Sequence, residues 1–532
     1  MHDFLELIRR RAGLVIGAAE GHHERRARIV CDRVARRVLR RDVTDRLHRR
    51  SLARRQSNYC LTVKARAMNA LLERRKPIAT ILAESDEHNA GEHALKRTLG
   101  VWGITALGVG AIIGTGIFVL TGKAAALSAG PAVVLSFVIA GIVSALAALC
   151  YAELASTVPV SGSAYTYVYA TLGEFIAWIV GWGLILEYAL GSATVAIGWS
   201  GYFSDFLSAT FGIAIPHAIR STPFDGGIVN LPATLIILII SALLIRGTQE
   251  SNTVNKIIVA LKLSIVVFFI VIGAGHVHPA NWHPFAPFGV NGIINGAGLV
   301  FFAYIGFDAV STSAEEVSNP GRDLPRGIIG SLAICTVLYV IVSGVLTGIL
   351  PYSKLNVPSP VSYSLIQIGL GWAGAIVAVG AIAGLTTVLL VLLYAQSRVF
   401  FAMSRDGLLP PLFSRVHPTF RTPYLSSALI GVVVAIVAGI GQLDVVANLV
   451  NIGTLFAFAL VSIGVIVFRR QAPDLKRGFR VPWSPVVPIL SALGALGLIV
   501  KGLPLLTLVS FFSWMIVGLG VYFLYSRHHS KL

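Results

Sequence analysis

Apolar residues along this chain gather into blocks of about 20, the length that carries an α-helix across a bilayer core. Twelve blocks can be read, at approximately 100–121, 131–158, 173–198, 230–247, 252–275, 291–317, 325–350, 372–402, 424–441, 444–468, 485–500 and 504–525. Glycine and proline recur inside them, as membrane helices tolerate. The pattern predicts an all-α integral membrane protein with twelve transmembrane helices in a lipid bilayer. Composition agrees: 55% of the 532 residues are apolar and 13% are charged, against roughly 25% charged in soluble domains. Mean hydropathy is +0.76. A soluble enzyme, a secreted disulfide scaffold and a disordered chain are thereby excluded. The four cysteines have no CxxC or CxxH spacing and argue for neither a metal site nor a disulfide framework.

The net charge of +18 is unevenly placed. Residues 1–67 hold 18 Lys+Arg against 7 Asp+Glu, leaving 25 against 18 for residues 68–532. Seventeen of those 18 are arginines. Such a head could bind nucleic acid or anionic lipid, or be a solvated tail. A third reading is favoured: an extension that is disordered or not translated, since Met68 begins MNALLERRKP, a plausible start. No nucleic-acid partner is expected. Gly13–Ala19 is too short for a signal-peptide core and Glu20 follows it. Residues 68–99 read as a cytoplasmic segment before the first span, and 526–532 as a cytoplasmic tail.

Orientation follows from basic residues in the loops. With the N-terminus inside, the inner side from the fourth span onward holds fifteen Lys and Arg, among them Arg246, Arg322, Arg405, Arg469, Arg477 and Arg527; the outer loops hold four, Lys123, Arg220, Lys354 and Lys501. Both termini are therefore expected in the cytoplasm.

Two spans look interrupted. The first reads LGVGAIIGTGIFV (Leu107–Val119), with Gly108, Gly110, Gly114 and Gly116 close together; the sixth reads NGAGLVFFAYIGFDAVSTSAEEV (Asn295–Val317), with Gly296, Gly298 and Gly306 before a polar run from Asp308. Five spans separate them. That is the spacing of two inverted repeats, residues 100–275 and 291–468, with spans eleven and twelve (485–525) outside. Broken helices at matching positions point to a site at the membrane midplane. Free backbone N–H groups at one break attract a carboxylate, and free carbonyls at the other attract an ammonium. An α-amino acid carries both. The competing reading is close packing, because Gly110 and Gly114 form GxxxG. The glycines do not match GxGxxG and no strand precedes them, so a dinucleotide site is not indicated.

GVGAIIGTGIFVLTG (Gly108–Gly122) resembles the first helix of the amino acid–polyamine–organocation transporters. FFAYIGFDAVSTSAEEVSNPGRDLPRGI (Phe301–Ile328) and YAQSRVFFAMSRDGLLPPLFSRVHPTFRTPY (Tyr394–Tyr424) resemble the sixth and eighth helices, with their following loops, of the cationic amino acid transporter branch. The resemblance spans about residues 94–525. It implies a leucine-transporter-type fold and amino-acid uptake coupled to protons or to exchange. By motif it places Thr115 and Gly116 where backbone amides bind the substrate carboxylate. Ile112, Phe302, Ala303 and Ile305 fall where main-chain carbonyls take the amino group, and Phe302 and Phe307 where the side-chain pocket is walled. Helix packing is the alternative for each phenylalanine.

Two charges lie deep in spans. Glu187 in span three and Lys262 in span five sit roughly 21 and 15 Å from the inner surface at 1.5 Å per residue. Each costs about 2.5–3.5 kcal/mol at the bilayer centre, so mutual pairing or neutralisation is expected. Snorkelling is the alternative for Lys262. The functional reading is a proton switch, since a buried lysine can lose its proton. In the resembling family a fifth-helix lysine occupies the place of a coupling sodium ion, and Lys262 matches it; a proton is then the coupling ion. Asp308 is a further relay candidate or an N-cap of the inner half-helix.

Glu315, Glu316, Arg322, Asp323 and Arg326 read either as gating salt bridges or as solvated loop charges. Asn319-Pro320-Gly321 is expected to end one helix and Pro325 to begin the next. His276, His278 and His283 lack further ligand types for a metal. No catalytic set and no cofactor motif is present. The expectation is a plasma-membrane permease for cationic or small neutral α-amino acids, proton-coupled and working by alternating access. An exchanger or polyamine carrier on the same fold, and a membrane amino-acid sensor, are the alternatives.

Overall fold

In the computed structural model the described residues are 99–158, 164–247, 252–311, 317–420 and 422–531. Glu315, Glu316, Arg421 and the arginine-rich head lie outside them, as does nearly all of the expected 68–99 segment. Among the described residues the structure is helical, and one isolated bridge joins Leu99 to Val317.

The first expected span is two pieces. Helix α1 (Val101–Ile112) ends where Ile113 turns to ψ 104°. Helix α2 resumes as the continuous run Gly116–Leu120, Thr121–Ala124 and Ala125–Ala129. Then come α3 (Val133–Thr157), the short α4 (Ala164–Thr171), α5 (Glu174–Phe211), α6 (Leu231–Arg246) and α7 (Asn252–Ala274). The sixth expected span is likewise broken. Helix α8 (Gly289–Val300) tightens into a 3₁₀ turn (Phe301–Tyr304), Ile305 is extended at ψ 137°, and α9 (Phe307–Ser311) follows. The remainder comprises α10 (Pro320–Ile349), α11 (Pro360–Gln367), α12 (Gly371–Arg405), α13 (Tyr424–Ile440), α14 (Leu443–Gln471), α15 (Val486–Gly502) and α16 (Leu505–Val521). Among the described residues seven helices are long and apolar enough to cross a membrane, and five shorter apolar helices accompany them.

Two boundary expectations need correction. Pro325 does not begin a helix; α10 starts at Pro320, and Pro325 lies in its second turn. Pro320 serves as the first helical residue because its missing N–H belongs to the turn where backbone donors have no helical partner. The third span is longer than 173–198, extending unbroken to Phe211.

The packing reading of the glycines holds together with the break. Side chains added at Gly108, Gly110 and Gly114 would press on Ser331 of α10, Val259 of α7 and Val388 of α12 respectively. Of the seven long helices α14 is the most enclosed, while the last is the least. Leu493, Val500, Leu505 and Leu524 face outward, as side chains against lipid do.

Candidate functional site

The two breaks meet. At Gly116 a Cβ would overlap Ala303 of the sixth span. Gly306 has φ +115°, which L side chains rarely adopt, and a Cβ there would come within 2.8 Å of the Ala111 carbonyl. Only glycine allows this approach, because the two backbones touch with no side chain between them. The hydroxyl of Tyr339, from α10, lies 2.9 Å from the Ile112 carbonyl and 3.0 Å from the Ala303 carbonyl. One residue of a third helix thus engages both fractured ends, and Tyr339 is fully enclosed.

Other donors reach the same backbone. Lys262 Nζ donates to the Gly110 carbonyl at 2.9 Å, and its stem lies against Gly384 of α12. Asn451 Nδ2, on α14, donates to the Gly298 and Leu299 carbonyls at 2.8 and 3.1 Å. Asp308 Oδ1 accepts from the Gly306 amide at 3.2 Å. That amide belongs to the residue just before α9, so the Asp308 carboxylate engages the break at the start of its own helix. The Phe302 carbonyl accepts from the Ile305 amide, and the Gly116 carbonyl from Thr121 Oγ1. Thr115 is buried and its Oγ1 has no hydrogen-bond partner.

Lys262 and Glu187 do not pair, contrary to the sequence expectation. Both are 2% exposed. Helix α7 presents Lys262 to the first break, where a carbonyl freed from the helical ladder replaces a carboxylate as acceptor. Glu187 instead faces α14 at Gly453, and its Oε1 has no hydrogen-bond partner. Phe307 sits among aromatic rings, 5.6 Å from Tyr151 and 4.9 Å from Phe458, centroid to centroid. Phe301 approaches Phe458 at 5.7 Å. Phe302 is buried and Ile305 half-buried beside the break.

Charge ties flank this region. Lys123, midway along α2, reaches Asp444 at the start of α14, 3.4 Å away. At the far end of α14, Arg469 grips Glu153 of α3 through both guanidinium arms. Arg477 lies 3.4 Å from the same carboxylate, and the Val481 amide donates to it at 2.7 Å. Of the expected loop pairs, Arg322 and Asp323 stand 4.0 Å apart with Arg322 68% exposed, a solvated arrangement; Glu315 and Glu316 lie outside the described residues. Among the described residues no cluster of His, Cys, Asp or Glu suits a metal ion.

Residues 99–524 match the amino acid permease family. The chain belongs to this family. The permease is 52% identical over 463 residues to a methylthioribose transporter of Bacillus subtilis, covering 87% of this chain and 99% of that protein. It is 50% identical to a branched-chain amino acid permease of the same organism, over 87% of this chain and 100% of the relative. A vacuolar cationic amino acid transporter of Arabidopsis thaliana is 41% identical, over 76% and 68% of the two chains. Membership brings the leucine-transporter-type fold to the broken helices described above, in an integral membrane transporter.

Sequence reasoning missed Tyr339, Asn451, Tyr151, Phe458 and Glu153. A signal existed for four of them: a tyrosine, an asparagine or a glutamate inside an apolar span must find a polar partner in the bundle.

Proposed function

We propose that this permease takes up α-amino acids by proton-coupled alternating access at the cell membrane, across twelve helices arranged as two inverted repeats with both termini in the cytoplasm. The supporting observation is the meeting of the two breaks, with Gly116 against Ala303 and carbonyls from both within reach of one hydroxyl. In this reading the substrate carboxylate binds the amides of Thr115 and Gly116. Its ammonium binds the carbonyls of Ile112 and Ala303, with those of Phe302 and Ile305 beside them. Phe307, with Tyr151 and Phe458, forms an aromatic wall for the side chain. Such a wall favours an apolar side chain, in line with the branched-chain relative.

Lys262 carries the coupling proton. Its hydrogen bond to Gly110 links its charge to the conformation of the first break. Glu187 and Asp308 are relay groups. One charge falling through 100 mV supplies about 2.3 kcal/mol, which sustains roughly a 50-fold substrate gradient at 1.36 kcal/mol per tenfold.

The methylthioribose relative favours a second reading, a neutral thiosugar whose hydroxyls donate to the same carbonyls. The decisive experiment is uptake into proteoliposomes of a panel of labelled α-amino acids and of labelled methylthioribose, driven by a pH gradient without sodium. Saturable accumulation of an amino acid, blocked by free amino acids and unaffected by their N-acetyl forms, is expected. Uptake that requires sodium or ignores the pH gradient would reject proton coupling.

A further inference from the structure

The Tyr339 hydroxyl has one proton and sits within hydrogen-bond distance of two carbonyls, Ile112 on α1 and Ala303 on the 3₁₀ turn after α8. These are the acceptors that the proposed reading assigns to the substrate ammonium. Tyr339 is fully buried in the middle of α10. Its ring is held by Phe137 and Tyr304, each with its centroid 5.5 Å away. Tyr304 is itself anchored, donating to the Phe137 carbonyl at 2.7 Å. The ring is therefore positioned by packing, and the O–H turns about its C–O bond between the two carbonyls, each of which keeps a second lone pair for another donor.

A carrier that exchanges substrates crosses the membrane loaded in both directions. A carrier that performs net transport must make one crossing empty. In that empty crossing the carbonyls at the breaks have lost the ammonium, and a buried acceptor without a donor is costly. We infer that the Tyr339 hydroxyl is the stand-in for the substrate's amino group, covering the Ile112 and Ala303 carbonyls while the site is empty and so permitting the empty carrier to return. Tyr339 is a positioning residue for net transport. The ammonium, with three donors and a full charge, outcompetes one neutral hydroxyl for the two carbonyls. This assignment rests on the proposed amino-acid site.

The test uses full-length protein in proteoliposomes preloaded with the labelled amino acid that the wild type takes up fastest from the panel. Two rates are read from one preparation: net efflux into amino-acid-free buffer, and exchange against the same unlabelled amino acid outside. Their ratio is independent of the fraction of protein correctly folded. Tyr339→Phe is expected to lower the net-to-exchange ratio about tenfold, the size of effect that stranding a buried acceptor produces. Tyr339→His, with a ring N–H to donate, is expected to recover part of the ratio. Tyr304→Phe deletes an equivalent hydroxyl from the same aromatic cluster and is expected to keep the wild-type ratio. A wild-type ratio in Tyr339→Phe, or an equal fall in Tyr304→Phe, would overturn the inference. Failure of the underlying site looks different: the wild type would move no amino acid of the panel, or would move N-acetylated ones equally well.

Discussion

Replacing Lys262 by methionine separates coupling from stability. Two opposed terms act on the fold. Removing an ammonium from the membrane interior relieves about 2.5–3.5 kcal/mol on insertion scales. Against this, the Gly110 carbonyl loses the 2.9 Å hydrogen bond from Nζ, and stranding it costs about 1–3 kcal/mol. Methionine keeps an unbranched stem against Gly384, so little packing is lost. The terms oppose each other, and Lys262→Met is expected to range from about as stable as wild type to about 2 kcal/mol more stable. Transport behaves otherwise. Without a titrating group at the first break, accumulation driven by a pH gradient is expected to disappear while exchange persists. The assay pairs thermal unfolding in detergent with pH-driven uptake in liposomes. A variant of normal stability that still concentrates substrate under a pH gradient would refute the role of Lys262. So would one that loses stability and exchange together, because Lys262 would then be a structural strut.

Three other outcomes are expected. Glu153→Ala strands Arg469 and Arg477 around an empty carboxylate position. Arg469 is 26% exposed and can find water, so the loss falls near 3 kcal/mol, the lower end for a broken buried ion pair, read as a lowered unfolding midpoint. Gly306→Ala places a side chain at φ +115° and against the Ala111 carbonyl; backbone strain alone is about 1–3 kcal/mol, and uptake should be abolished even where the protein is recovered. Lys123→Gln removes a partly exposed pair with Asp444 worth about 0–1 kcal/mol, so unfolding should scarcely move while a thiol reagent reaches a cysteine placed at Ile112 from outside more readily.

Much of this architecture is written in simple patterns. Span lengths follow from bilayer thickness, and both breaks lie in or beside glycine-rich stretches, where a helix is weakened, although Gly108, Gly110, Gly296 and Gly298 themselves stay helical. What stayed hidden depends on which helices become neighbours. The expectation that Lys262 would pair with Glu187 treated depth as proximity; both do lie deep, but α7 and α5 present them to different partners. Tyr339 lies in an unremarked apolar stretch, CTVLYVIV, and its importance comes wholly from the two carbonyls opposite. Likewise Pro325 looked like a helix start because local rules cannot tell a first turn from a second once Pro320 has already begun the helix.

The donors around the breaks also bear on how a substrate is chosen. Gly110 is covered by Lys262, Ile112 and Ala303 by Tyr339, and Gly298 and Leu299 by Asn451. These donors come from α7, α10 and α14, none of which is itself broken. A fractured helix in a membrane is stable only when neighbours satisfy its backbone, and here α7, α10 and α14 supply donors to these five carbonyls. Binding is then a replacement of one set of donors by another, and its free energy is the difference between them. A ligand with a single weak donor gains little by displacing Tyr339. An ammonium brings charge and three N–H groups and gains more. On the proposed reading, discrimination for a free α-amino group follows from these donors, and amino-acid analogues with the ammonium replaced by hydroxyl are expected to bind more weakly, read as a raised inhibition constant against uptake.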